Sequence, residues 1–472
     1  MLPLLRGVIH ECHRFLHVYP DPSVLFVEPT LPDRAHSDEK SRQGSTEPSS
    51  SMALSESHLQ QKRSVQLCVS SRNLADNRLS LLLSKFELPT AFHAILGTSL
   101  FLFGNLIAQD SSLALEGEPT NPALYWLTAL DVFEMGENLP SRTSGTGYTD
   151  YPEDWRMAII WGRTLVCLAD DLANRKIRAR QQGEDPHGVY LDVEEPNWPH
   201  GSPFHAIAAQ RHPIMQRMSF VAATPNDLLV LAADQFSRGI FHIPHEKRPP
   251  SLQPIMGSPS AATSEHGWSP SRSQSASESQ MFLTLPEMDD QFSRAKELHT
   301  IASEVLLVAE KLETASERHH WANWADSVFN QMKMESGRDA CILQSRGRCR
   351  LIAGAAFVEA IEAALEREEM DVLRSDEAMD AREDLSMAID FFERAKVNEG
   401  EESRAKAPDA SVDADSRELR LLLTEALVTL ANLTEDTGSR EVLYARAEAE
   451  AGSAIHLDLD DTDDEDRMDE SH

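Results

Sequence analysis

Apolar residues recur three and four positions apart in every periodic segment of this chain, and no segment of useful length alternates apolar and polar residues at period two. The first spacing places residues on one face of an α-helix, whereas alternation would indicate a strand. The sequence therefore predicts an all-α fold without a sheet.

Two consecutive runs, residues 91–107 and 121–136, show this pattern most clearly. Thr90 stands before the first run as a helix cap, and Asn121 with Pro122 is a typical helix opening. A polar loop separates the two runs. Together they predict an antiparallel pair of helices.

Small residues flank large ones on the apolar faces, and this rhythm favours a repeat architecture. The two clearest triplets are Ala129, Phe133 and Gly136, and Ala388, Phe392 and Ala395. A helical hairpin with one such seam is the unit of tetratricopeptide-type repeats, which are about 34 residues long. One hairpin cannot bury its apolar face alone, so the pattern predicts stacked hairpins that form an α–α superhelix.

Composition divides the chain into six predicted segments. They are a first helix of the array (1–22), a disordered insertion (23–86), N-terminal helical repeats (87–245), a Ser/Pro-rich disordered linker (246–285), C-terminal helical repeats (286–456) and an acidic tail (457–472). The insertion and the linker contain too few apolar residues to offset the entropy lost on ordering.

Charge and cysteine usage limit the function classes. Lysine and arginine number 44 against 77 acidic residues, which gives a formal net charge of −33. That balance argues against unassisted binding to nucleic acid or to an anionic membrane, since both require basic surfaces. The five cysteines are too few and too scattered for a disulfide framework, and no apolar run reaches the length of a membrane span. The sequence predicts an intracellular soluble protein.

Motifs of enzymes are missing from the sequence. It has no glycine-rich phosphate loop, no nucleophile elbow and no zinc-hydrolase helix motif. Two acidic pairs could each share a helix face, Glu134 with Glu137 and Glu359 with Glu362. Such pairs usually belong to a solvated face, so we predict no catalytic residue and no cofactor.

One histidine cluster near the N-terminus raises the question of a metal site. His10, His13 and His17 share a helix face, and Cys12 lies among them. No second cluster completes four ligands at a recognisable spacing. The favoured interpretation is the polar flank of an amphipathic helix, and no metal is predicted.

A basic and aromatic cluster stands out in so acidic a chain. Arg346 and Arg350 share a helix face, and Trp321 and Trp324 lie just upstream. Arginine and tryptophan dominate interface hot spots, so these four residues are predicted to bind a protein partner. The alternative is that the arginines balance nearby acids such as Glu359.

Five segments carry a resemblance to a known family. They are residues 5–12, 92–95, 226–234, 297–305 and 324–332. In these segments the chain resembles the fungal enhancer of translation termination family, and the match covers most of residues 4–22 and 87–456 in the same order. The resemblance implies an all-helical, tetratricopeptide-like nuclear protein. The family includes a negative regulator of a prolyl-hydroxylase-like oxygenase, which that regulator binds directly.

The chain departs from the family in its 23–86 insertion and in the absence of the basic N-terminal segment that serves as an import signal. The resemblance implies a non-enzymatic adaptor that binds a prolyl-hydroxylase-like 2-oxoglutarate oxygenase and enhances translation termination, with a role in transcription linked to oxygen sensing. It also implies a nuclear location, with a cytoplasmic pool as the other option. The alternatives are an enzyme with a dispersed site and a chaperone that holds a basic partner through its acidic tail.

Overall fold

A computed structural model describes residues 1–19, 90–138, 154–191, 222–244, 293–332, 340–403 and 410–459, with a few isolated positions between 198 and 220. Every regular element within these ranges is a helix, which confirms the all-α prediction. The predictions of disorder for residues 23–86 and 246–285 lie outside the described residues. So does the acidic tail beyond residue 459.

The described chain forms a series of α-helices. They are α1 (Leu2–Val18), α2 (Ala91–Gln109), α3 (Pro122–Glu137), α4 (Trp155–Gln182), α5 (Pro225–His242), α6 (Arg294–Ala309), α7 (Ala315–Met332), α8 (Ala340–Ala355), α9 (Val358–Glu366), α10 (Asp376–Ser403), α11 (Ala410–Asn432) and α12 (Thr437–Leu459). Short 3-10 helices occur at Ser111–Leu113, Pro186–Gly188 and Met370–Arg374.

The helices pack as hairpins in chain order. The main pairs are α2 with α3, α4 with α5, α6 with α7, α8 with α10, and α11 with α12. Each hairpin also contacts the next one, and α2, α4, α6 and α8 follow one another along one side. This nearest-neighbour stacking is the tetratricopeptide-like arrangement that the sequence predicted.

Local sequence signals explain where several helices begin. The Asn121 side chain accepts a hydrogen bond from the backbone N–H of Ala123 at 3.1 Å, so the predicted cap of α3 is present. Thr90 holds the predicted cap position of α2, but its side chain does not cap the helix. Its hydroxyl instead donates to Asp154 at 3.1 Å, and Asp154 caps α4. This buried contact joins the N-terminal ends of α2 and α4, the first helices of two consecutive hairpins.

The alanine-rich helical pattern over residues 338–365 predicts one long helix, but the structure divides this segment into two helices. Helix α8 ends at Ala355 and α9 begins at Val358. At the break, the Arg318 guanidinium on α7 donates to the carbonyl oxygen of Ala356 at 2.9 Å. A side chain from a neighbouring helix therefore satisfies a carbonyl that helix continuation would otherwise have paired.

The buried apolar residues form two cores that meet at α8. The first core extends from α1 to α8, and the second extends from α8 to α12. Cys349 on α8 belongs to the first core, whereas Leu343 and Leu351 belong to the second. The first core includes residues on both sides of the predicted linker at 246–285, such as Ile243 and Leu298, while the linker itself lies outside the described residues.

In three hairpins, a glycine on the first helix of the pair lies against an aromatic ring on the second helix. A Cβ added at Gly97 would lie 2.2 Å from the Phe133 ring, and one added at Gly347 would lie 2.5 Å from the Phe392 ring. Gly162 of α4 faces Phe236 of α5 in the same way. The two predicted small–large–small triplets are buried, and a third follows in α5, formed by Ala232, Phe236 and Gly239. In α7, Ala325, Phe329 and Met332 are buried at the same spacing, but the third residue is large.

Substitution of Gly97 by alanine is expected to destabilise the protein by about 1–3 kcal/mol, because the added methyl would overlap the Phe133 ring. Alanine favours a helix over glycine by about 1 kcal/mol, so the overlap must exceed this gain. Gly7→Ala in α1 is the matched control, since nothing lies within 4 Å of its added Cβ. Chemical denaturation of both variants measures the difference. Equal stability of the two variants would contradict the close packing of the Phe133 ring on Gly97.

Helix α2 is the one described helix long and apolar enough to cross a membrane by length and composition. The expectation that no run reaches this length is therefore wrong. In the structure α2 contacts α1, α3 and α4, and nine of its residues are buried. The core helix of a soluble protein meets the same two criteria.

Candidate protein-binding face

The two tryptophans predicted to bind a partner lie on α7. Trp321 is buried, with 1% of its surface exposed, and its indole N–H donates to the Asn226 side chain at 2.8 Å. Trp324 is half-buried, and its ring centroid lies 6.0 Å from that of Phe236. Trp321 therefore holds α7 against α5, whereas Trp324 keeps part of its ring accessible.

Trp324 borders a cleft between α5 and α7. The cleft is lined by residues that include Ile240, Phe241, Val328 and Gln331. Phe241 is 82% exposed, which is unusual for so large an apolar side chain. Of the four predicted partner-binding residues, Trp324 is the one that lines this cleft.

Arg346 and Arg350 share a face of α8 as predicted, but that face meets other helices of the same chain. Nε of Arg346 lies 2.6 Å from an oxygen of Asp326, and Nη2 of Arg350 lies 2.6 Å from the other oxygen. Arg350 also pairs with Asp384 of α10 at 2.8 Å. The acids that balance the arginines are thus on α7 and α10, not Glu359 on α9.

This ion network is substantially buried. Side-chain exposure is 5% for Asp326, 7% for Asp384 and 12% for Arg346. Burial acts to lower the pKa of Arg350, but hydrogen bonds and charge from Asp384 and Asp326 outweigh it and raise the pKa. The network joins α7, α8 and α10 where the two cores meet, and contact of these arginines with a partner stays a prediction.

The first helices of successive hairpins present a second surface, which we call the four-helix face. It is the solvent-facing side of α2, α4, α6 and α8. Charged pairs bridge the neighbouring helices at intervals along it. They are Arg163 with Glu304 at 2.5 Å, Lys311 with Asp170 at 2.5 Å, and Arg348 with Glu310 at 2.8 Å.

Leu307 lies in the middle of this face. It falls between Glu304 of α6, which contacts α4, and Glu310, which directly follows α6 and contacts α8. Leu307 is 46% exposed although its neighbour Leu306 is buried. Leu307 is therefore an exposed apolar side chain between two ion pairs.

Sequence reasoning missed Leu307 and Arg348 as residues of an exposed face. Arg348 belongs to the predicted arginine cluster by position, but it points to α6 instead of α7. A helical wheel separates Arg348 from Arg346 and Arg350. It does not show which side of α8 is covered by another helix.

The described residues contain no group of three or more histidine, cysteine, aspartate or glutamate side chains that could hold a metal ion. On α1, the rings of His13 and His17 pack edge to face with centroids 6.5 Å apart. Burial raises the pKa of Cys12 to about 11, which keeps its thiol protonated.

Comparison with known proteins gives one structural similarity. No family model matches the chain, and no curated protein matches it. The S. pombe nuclear import adaptor Nro1 is similar in structure, with a TM-score of 0.38 and 11% sequence identity. The similarity covers 85% of this chain and 90% of the Nro1 chain. Agreement at this level does not bear on function.

Proposed function

We propose that this protein is a non-enzymatic helical-repeat adaptor that binds another protein through the four-helix face. The observation that carries the proposal is the side-by-side arrangement of α2, α4, α6 and α8, in which charged pairs join α4 to α6 and the end of α6 to α8. Such a surface is formed before the partner arrives. Association therefore costs little ordering entropy.

The charge distribution indicates which kind of partner fits. The whole chain carries a formal charge of −33, yet each acid in the bridges of the four-helix face has a basic neighbour. A locally balanced surface does not select strongly basic partners. This supports a partner that is not strongly basic at this face.

The partner class follows from the family resemblance of residues 5–12, 226–234 and 297–305. We infer a prolyl-hydroxylase-like 2-oxoglutarate oxygenase, a nuclear location, and a role in translation termination and in transcription linked to oxygen sensing. Trp324, beside the exposed Phe241, is proposed as a second contact for the same partner.

Substitution of Leu307 by aspartate is expected to weaken binding to the oxygenase by more than about tenfold, or 1.4 kcal/mol. The added charge would lie among the ion pairs at the centre of the face and would repel Glu304 and Glu310. Isothermal titration calorimetry with the purified proteins measures the effect. Val442→Asp is the control, since Val442 is 67% exposed but lies on α12, away from the four-helix face.

The possible outcomes separate the candidate functions. Equal affinity of Leu307→Asp and wild type would remove the four-helix face from the interface. No binding of the wild type would exclude this partner class. Loss of binding after deletion of residues 457–472 would favour the acidic-tail chaperone. Charge reversal of Arg346 and Arg350 is a poorer test, because it would also break the buried contacts to Asp326.

A further inference from the structure

A cysteine and a histidine meet on the four-helix face, between α6 and α8. Sγ of Cys341 lies 3.6 Å from Nε2 of His299, and the Ser345 hydroxyl lies 3.4 Å from the same nitrogen. The other ring nitrogen, Nδ1, lies 3.4 Å from the Ser303 hydroxyl. We propose that Cys341 is a modification site, a nucleophilic thiol that His299 activates and that hydrogen peroxide oxidises.

The geometry allows His299 to accept the thiol proton. When Nδ1–H donates to the Ser303 hydroxyl oxygen, Nε2 has a lone pair that can accept a proton from the Cys341 thiol or a hydrogen bond from the Ser345 hydroxyl. The imidazole is held in place by Phe329, whose ring centroid lies 5.4 Å away in an edge-to-face contact. A thiolate next to an imidazolium is the arrangement found at reactive cysteines.

The position of Cys341 in its helix adds to this effect. Cys341 is the second described residue of α8 and so lies near the N-terminal end of that helix. The positive end of the helix dipole favours a negative charge there. Cys341 is also exposed, which gives small reagents access to the sulfur.

The other described cysteines lack this environment. Burial raises the pKa of Cys12 to about 11 and also raises the pKa of Cys167 and of Cys349. Their thiols stay protonated at neutral pH and react slowly. The chain therefore contains its own internal controls for the reactivity of Cys341.

The oxidation is balanced with hydrogen peroxide as the only co-reactant. The Cys341 thiolate attacks one peroxide oxygen, so that an S–O bond forms while the O–O bond breaks. The departing hydroxide takes the proton that His299 holds and leaves as water. The sulfur is oxidised to a sulfenic acid, the peroxide is reduced, and His299 returns to its neutral form.

Alkylation of the full-length protein with limiting iodoacetamide at pH 7 tests the activation. Mass spectrometry of the peptides should show Cys341 modified at least about tenfold faster than Cys12 or Cys349. His299→Asn should slow Cys341 roughly tenfold, since an exposed thiol without a base is mostly protonated. His10→Asn, on an exposed histidine of α1, should leave the rate unchanged.

Dimedone trapping after peroxide treatment tests the oxidation. Wild type should gain the adduct at Cys341, and His299→Asn should gain much less. An alkylation rate unchanged in His299→Asn would show that Cys341 is merely exposed, and the absence of an adduct would exclude the sulfenic acid. If the melting temperature shows that His299→Asn is unfolded, Ser303→Ala decides. It removes the hydroxyl at Nδ1 without touching the thiol and should also slow the reaction.

Discussion

Asp326→Ala is expected to lower the free energy of unfolding by about 3–5 kcal/mol, because it would leave two partly buried arginines without their shared carboxylate. The Asp326 side chain is 5% exposed, and its two oxygens each lie 2.6 Å from a guanidinium nitrogen, one of Arg346 and one of Arg350. Asp384 can still pair with Arg350, but it has no contact with Arg346 among the described ion pairs. Urea unfolding followed by circular dichroism measures the loss.

A surface ion pair provides the control for this prediction. Glu435 pairs with Arg374 at 2.6 Å, but the two side chains are 56% and 69% exposed. Glu435→Ala should leave the unfolding midpoint unchanged, since water screens such pairs. If Asp326→Ala were equally harmless, the network would not hold α7, α8 and α10 together. Arg346 and Arg350 would then again be candidates for contact with a partner.

Phe392→Ala is expected to destabilise the protein by about 3–5 kcal/mol, since the ring is fully buried. The Phe392 ring lies directly over Gly347 of α8, which has no side chain to fill the space left behind. Leu385, which lies on the same face of α10 as Phe392, packs in the same way on Gly354. The cavity would therefore lie at the centre of the α8–α10 seam, where the second core begins.

The same substitution at an exposed ring serves as the control. Phe241 is 82% exposed, so Phe241→Ala should change the free energy of unfolding by no more than about 0.5 kcal/mol. Thermal unfolding of both variants gives the comparison. An unaltered melting temperature for Phe392→Ala would mean that α10 does not pack on α8 through this ring.

The helix period and the seam residues were readable from the sequence. Ala129, Phe133 and Gly136 are buried where the small–large–small rhythm placed them. The same holds for Ala388, Phe392 and Ala395. These signals are local, since a residue three or four positions away lies on the same face whatever the rest of the chain does.

The cap of α3 was equally local, but the role of Thr90 was not. Asn121 reaches a backbone N–H two residues away, so its contact follows from the nearby sequence. Thr90 pairs with Asp154, which lies 64 residues further along the chain. Such a contact depends on how α2 and α4 pack, and no short sequence pattern contains that information.

The candidate site shows the same difference between what local sequence determines and what packing between distant segments determines. The sequence correctly places Arg346 and Arg350 on one face of α8, because that needs only the helical period. Only the packing decides that this face meets Asp326 on α7 and Asp384 on α10, and that Arg348 is left on the four-helix face. A helical period defines which residues share a face, whereas the neighbour that covers the face is set by contacts between segments distant in sequence.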